Sequence, residues 1–117
     1  MRNDREDIIV DKTFEFALKI VEFAELLFAE KKFSLANQIF KSGTSIGANV
    51  RESQNAESKA DFIHKLKIAA KEADETEYWL LLCAKSPHLS SPRDLLLSDL
   101  KEIILILSKI ISTSKQT

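Results

Sequence analysis

Apolar side chains recur at three- and four-residue intervals in four stretches of this chain, separated by short polar breaks. That spacing belongs to amphipathic helices and not to the two-residue alternation of strands. It predicts an all-α, antiparallel up-down-up-down four-helix bundle with helices over 11–30, 35–54, 59–84 and 92–112, forming one domain over 1–117. Residues 1–10 and 113–117 are expected to fray, with Ile8, Ile9 and Val10 a short apolar group able to dock on a neighbour.

The first helix, capped by Asp11 or Thr13, gathers Lys12, Glu15, Lys19, Glu22 and Glu30 on one narrow polar stripe. Phe14, Phe16, Ala17, Leu18, Ile20, Val21, Phe23, Ala24, Leu27 and Phe28 cover well over half of the remaining circumference. A surface helix needs an apolar face only about 100° wide or somewhat more. Either this helix buries a second face against another subunit, or it sits deep within its own bundle.

On the second helix, capped by Ser34, the residues Ile39, Phe40, Gly43, Ile46, Gly47 and Val50 share one apolar arc. Gly43 and Gly47 are the only glycines in the chain, and each costs about 1 kcal/mol in a helix interior relative to Ala. Close packing against a neighbouring backbone is the expected reason for both. Beside them Gln38, Ser42, Ser45, Asn49 and Glu52 form a stripe of mostly short, uncharged side chains. A solvated face in so charged a chain would carry Lys and Glu, so the stripe reads as a hydrogen-bonding seam. If the second and third helices turn back near residue 57, Ser42 comes near Glu72 and Gln38 near Glu75, giving the seam carboxylate acceptors.

Ser58 and Asp61 form a capping box for the third helix. Its core face holds Phe62, Leu66, Ala69, Ala73, Leu80 and Ala84, with Glu72 and Thr76 at the edge. Ser91-Pro92-Arg93-Asp94 supplies a cap, a proline at the first helical position and an acid for the fourth helix.

With 17 basic and 18 acidic residues the formal net charge is −1, so any attraction to nucleic acid must come from a local patch. The candidates are Lys67 and Lys71, one turn apart on the third helix, with Lys41 and Arg51 from the second. Cys83 is the sole cysteine, which excludes an intrachain disulfide, and no histidine is spaced to activate it on its own helix. No secretory leader and no membrane-length apolar run is evident, and a cytoplasmic location is expected.

Catalytic and metal chemistry fit poorly. Di-iron bundles use a Glu-x-x-His pair on each of two helices, whereas this chain offers only Asp61-x-x-His64, with His88 in a loop. Glu72, Glu75 and Glu77 have no accompanying nucleophile, and hydrogen bonding is the expected role of the first two. Gly43-Thr-Ser-Ile-Gly47 lacks the lysine and preceding strand of a phosphate loop. No cofactor, no metal and no enzymatic activity are expected.

The run QIFKSGTSIGANVRESQNAESKADFIHKLKIAAKEADETEYWLLL, with SIGAN, a Phe-Ile helix start and EADETEYWL in that order, resembles a family of small bacterial four-helix bundle proteins. These were first described as products of intervening sequences within 23S, the large-subunit, ribosomal RNA genes. The resemblance implies an up-down-up-down bundle that assembles as a ring-like homopentamer. It also implies kinship with the accessory protein of diversity-generating retroelements, which binds nucleic acid and a reverse transcriptase. The expected function is therefore that of a non-enzymatic homo-oligomer that binds RNA or an RNA–protein complex. The alternative is a protein-interaction adaptor with no nucleic-acid binding.

Overall fold

The four apolar stretches fold as four helices in the computed structural model, which describes residues 4–92 and 95–116. They are α1 (Asp4–Ala29), α2 (Phe33–Ser53), α3 (Lys59–Lys85) and α4 (Leu96–Lys115). Each helix packs on two neighbours, α1 on α2 and α4, and α3 on α2 and α4, with no packing across either diagonal among the described residues. Side-chain pairings fix their directions. Ile20 lies at Gly43 and Thr13 at Gly47, while Lys12 pairs with Glu102 and Lys19 with Asp99. Ser42 meets Thr76 and Lys65 meets Glu52. In each case the numbers rise on one helix as they fall on the other, so these neighbours run antiparallel, as an up-down-up-down path requires.

The expected helix limits are displaced at several ends. α1 begins at Asp4 and not near Asp11, because Ile9 continues the buried stripe of Phe16, Ile20 and Leu27 into the core. Thr13, read as a cap, is instead a buried helical residue whose hydroxyl donates to the Ile9 carbonyl at 2.7 Å. Residues 4–10 are thus helical where fraying was expected, and the expectation for 1–3 falls outside the described residues.

α1 ends in a tight turn. Lys32 N–H donates to Leu27 O and Lys31 N–H to Phe28 O, both at 2.9 Å, with Lys31 in the left-handed region at φ 64°. This double closure satisfies two orphan carbonyls and starts α2 at Phe33 without any side-chain cap, so Ser34 lies inside the helix. Phe28 and Phe33 meet across the turn with ring centroids 6.3 Å apart.

At α3 the expected cap forms: Asp61 N–H donates to Ser58 Oγ at 3.0 Å. Asp61 Oδ2 in turn accepts from the Glu57 N–H, one residue before the usual position. α4 begins at Leu96, its first fully core-facing residue, after an uncapped Leu95. Ser91 and Pro92 lie outside that helix, and the Arg93 and Asp94 part of the expected start lies outside the described residues. A cap contributes about 1 kcal/mol, less than the burial of one leucine at about 2 kcal/mol, so packing sets this boundary. At its other end α4 continues to Lys115, past the expected Ser112, and Thr117 is outside the described residues. On α3, Cys83 occupies the core position expected for Ala84, which is exposed.

The two glycines set the distance between α1 and α2. A methyl group built at Gly43 would come within 2.7 to 2.9 Å of three Ile20 side-chain carbons, and one at Gly47 within 3.1 Å of the Thr13 carbonyl oxygen. Gly43→Ala gains about 1 kcal/mol of helix propensity but incurs an overpacking cost of about 1–3 kcal/mol. We expect a net loss of stability in urea denaturation at fixed protein concentration, abolished when the same change is made in an Ile20→Ala background. Equal effects of Gly43→Ala in both backgrounds would show that Ile20 does not impose the constraint.

Candidate functional site

The polar stripe of the second helix reaches the third at two points, the exposed Glu52–Lys65 pair and one buried contact. Ser42 and Thr76 are both buried, and their hydroxyl oxygens lie 2.9 Å apart. Ser42 Oγ also lies 3.0 Å from Gln38 O, and Thr76 Oγ1 lies 2.7 Å from Glu72 O. Two hydroxyls own two protons, which fill two of these three links at any moment, so both groups stay satisfied without water. Ser45 turns back to donate to Lys41 O, and Asn49 Nδ2 donates to Ser45 O at 2.9 Å. Gln38 is exposed.

The expected carboxylate acceptors do not receive the seam. The α2/α3 register is displaced by about one turn, so Ser42 faces Thr76 where Glu72 was expected. Glu75 Oε2 instead accepts from Trp79 Nε1 on its own helix at 3.4 Å. Glu72 is half-buried, and its carboxyl is held above its ordinary value, first by desolvation and then by Glu75, against the pull of Lys41 and Lys71. Thr76 was legible as the lone hydroxyl within the Ala69, Ala73, Leu80 and Cys83 stripe.

Neither the seam nor the thiol is arranged for chemistry. The hydroxyls have no adjacent base, and Cys83 is fully buried. Burial, followed by the charge of Glu30, pushes that thiol up to about 11. Among the described residues no three His, Cys, Asp or Glu side chains group as a metal would require. His64 and His88 are both exposed.

Of the expected cations, Lys67 and Lys71 lie one turn apart and exposed on α3. Lys71 and, from α2, Lys41 both act on Glu72. Lys67 also feels Lys115 of α4, which pushes it below its ordinary value. Arg51 lies on another side, lining a groove between α1 and α2.

That groove is the main surface feature that side-chain spacing alone did not place. It encloses about 560 Å³ between Val10, Phe14 and Ala17 of α1 and Thr44, Gly47 and Ala48 of α2. Gly47 lines it where α2 lies close against the Thr13 carbonyl of α1. Phe14 is 57% exposed, Leu18 50%, Phe33 55% and Phe40 43%. The helical spacing puts Phe14 and Phe28 on the α1 edge and Phe33 and Phe40 on the α2 edge of this same face. The surplus apolar surface of the first helix is therefore outside the bundle, which sets aside the alternative that it lies deep within.

Below its raised pKa the Cys83 thiol remains protonated. We expect a disulfide reagent at pH 8 to modify native protein only as fast as it unfolds, and urea-unfolded protein at once. Native labelling at the rate of a free thiol would contradict both the burial and the raised pKa.

The chain is similar to a crystal structure, at 1.70 Å resolution, of a protein of unknown function from the S23 ribosomal protein family of Bacteroides thetaiotaomicron. The two share 44% identity with a TM-score of 0.85, over 92% of this chain and 98% of the other. A search of curated proteins finds no match. The profile of the 23S rRNA-intervening sequence proteins matches residues 5–109, which span all of α2 and α3 and most of α1 and α4. With its four helices, its glycine-set α1/α2 contact and this match along nearly its whole length, the chain belongs to the 23S rRNA-intervening sequence protein family.

Proposed function

We propose that this chain is a non-enzymatic, cytoplasmic bundle protein that works as a homo-oligomer, with the α1/α2 face of one copy covered by another. The observation that carries this reading is the apolar surface of these two helices, where Phe14 lines the groove and Leu18, Phe33 and Phe40 are exposed. Contiguous exposed apolar surface of this kind marks interaction sites in stable proteins. Five subunits is the number implied by the family resemblance. No helix among the described residues is long and apolar enough to cross a membrane.

RNA, alone or in an RNA–protein complex, is the partner proposed for the assembled protein. Support comes from the apposed Lys67 and Lys115, with Lys71 one turn further along α3. Neighbouring ammoniums on α3 and α4 offer a phosphate more than one positive charge. Repetition around an oligomer multiplies weak contacts. A second reading, an adaptor that binds only protein, draws on the exposed Tyr78, Leu81 and Leu82 of α3.

Sedimentation at tens of micromolar should show wild type as an oligomer, and Phe14→Glu with Phe40→Glu as a folded monomer of unchanged helicity. A monomeric wild type would end the self-association reading. Filter binding to structured RNA should weaken steeply with added salt and should be weaker still for the monomeric variant. No binding at low salt would remove RNA and leave the adaptor.

A further inference from the structure

A groove needs a complementary ridge, and the outer edge of α4 provides one. Leu105 is 70% exposed, and it stands one turn from Lys101 on one side and one turn from Lys109 on the other. Both lysines are exposed, and neither forms an ion pair among the described residues. The acids of α4 point elsewhere, since Asp99 holds Lys19 at 2.7 Å and Glu102 holds Lys12 at 2.6 Å, while Asp74 and Glu77 of α3 line a shallow hollow with Lys101 and Leu105.

The α1 side has the opposite character. With Lys12 and Lys19 drawn to α4, the outer edge of α1 keeps Asp11, Glu15, Glu22 and Glu25, all exposed and without an ion pair among the described residues. Asp11 and Glu15 also line the apolar groove. At the rise of an α-helix these acids extend over about 21 Å, and Lys101 and Lys109 stand about 12 Å apart. A leucine between two lysines on α4 thus matches a longer acidic rim beside an apolar groove.

We propose that the Lys101, Leu105 and Lys109 ridge of one copy seats on the α1/α2 groove of the next, with Leu105 against Phe14 and the lysines on the α1 acids. This inference rests on the self-association proposed above and names the surface that meets the groove. The ridge and the groove are different patches of one chain, so the contact is heterologous. Repeated from copy to copy, it closes a ring where its rotation allows and otherwise grows a filament. The charged pairs also make assembly weaken as salt is raised, because rim charges are screened.

Reciprocal charge reversal tests this arrangement by sedimentation, with circular dichroism to verify folding. Lys101→Glu with Lys109→Glu, and separately Asp11→Lys with Glu15→Lys, should each raise the self-dissociation constant by about tenfold or more. Combining all four reversals in one chain should restore assembly, because every ridge then meets a groove of opposite sign. Leu105→Asp should also give monomers. If wild type assembles and neither the ridge reversal nor Leu105→Asp alters it, the ridge is not the partner surface, although self-association stands. Assembly lost in both reversals but not regained in the fourfold variant also overturns the pairing. A monomeric wild type overturns both proposals together.

Discussion

At Gly43 and Gly47, α2 lies so near α1 that a methyl group would strike the Ile20 side chain at 2.7 Å and approach the Thr13 carbonyl at 3.1 Å. Much of the molecule follows from that separation. It turns Ile20, Phe16 and Leu27 inward and leaves Phe14, Leu18 and Phe28 on the far side of the same helix. A square of four helices encloses about half of each one, so an α1 that is apolar around most of its circumference must present part of that surface outside. The groove that Gly47 lines lies along this same contact.

Polar interactions act on this frame as guides to register more than as sources of stability. The Ser42 and Thr76 hydroxyls satisfy one another at the α2/α3 contact, and a net contribution of about 1 kcal/mol is usual for such a bond. Lys12, Lys19 and Lys65 bridge neighbouring helices at partly exposed positions, where each pair contributes about 0–1 kcal/mol. Their larger effect is on charge distribution. By drawing the two α1 lysines to α4, they leave the outer edge of α1 acidic.

Most of the fold was legible in the sequence because helix periodicity and burial agree along all four stretches. The glycine pair and the Ser58 cap were legible for the same reason, as each has a local physical signature. Misplaced boundaries occurred where cap chemistry and packing disagree: Thr13 resembles a cap but is buried, and Ser91-Pro92 resembles a start but precedes it. The seam partners were missed by about one turn, since the turn between α2 and α3 does not itself fix their sliding position. Lys41, Arg51, Lys67 and Lys71 could be listed from sequence, but the separation of Arg51, in the α1/α2 groove, from the others depends on helix placement. The groove was invisible as a shape, although its cause, surplus apolar residues on the first helix, was apparent.

The central claim is that the outward apolar face of α1 and α2 is covered in the working protein. Hydroxyl-radical footprinting of wild type over a dilution series tests it most directly, because oxidation reports the exposure of individual side chains. Phe14 and Phe40 should be protected at tens of micromolar and oxidise faster on dilution, while Tyr78 and Leu82 on the outer side of α3 react at a constant rate. Phe14 and Phe40 oxidising at one unchanging rate across the series would contradict the account.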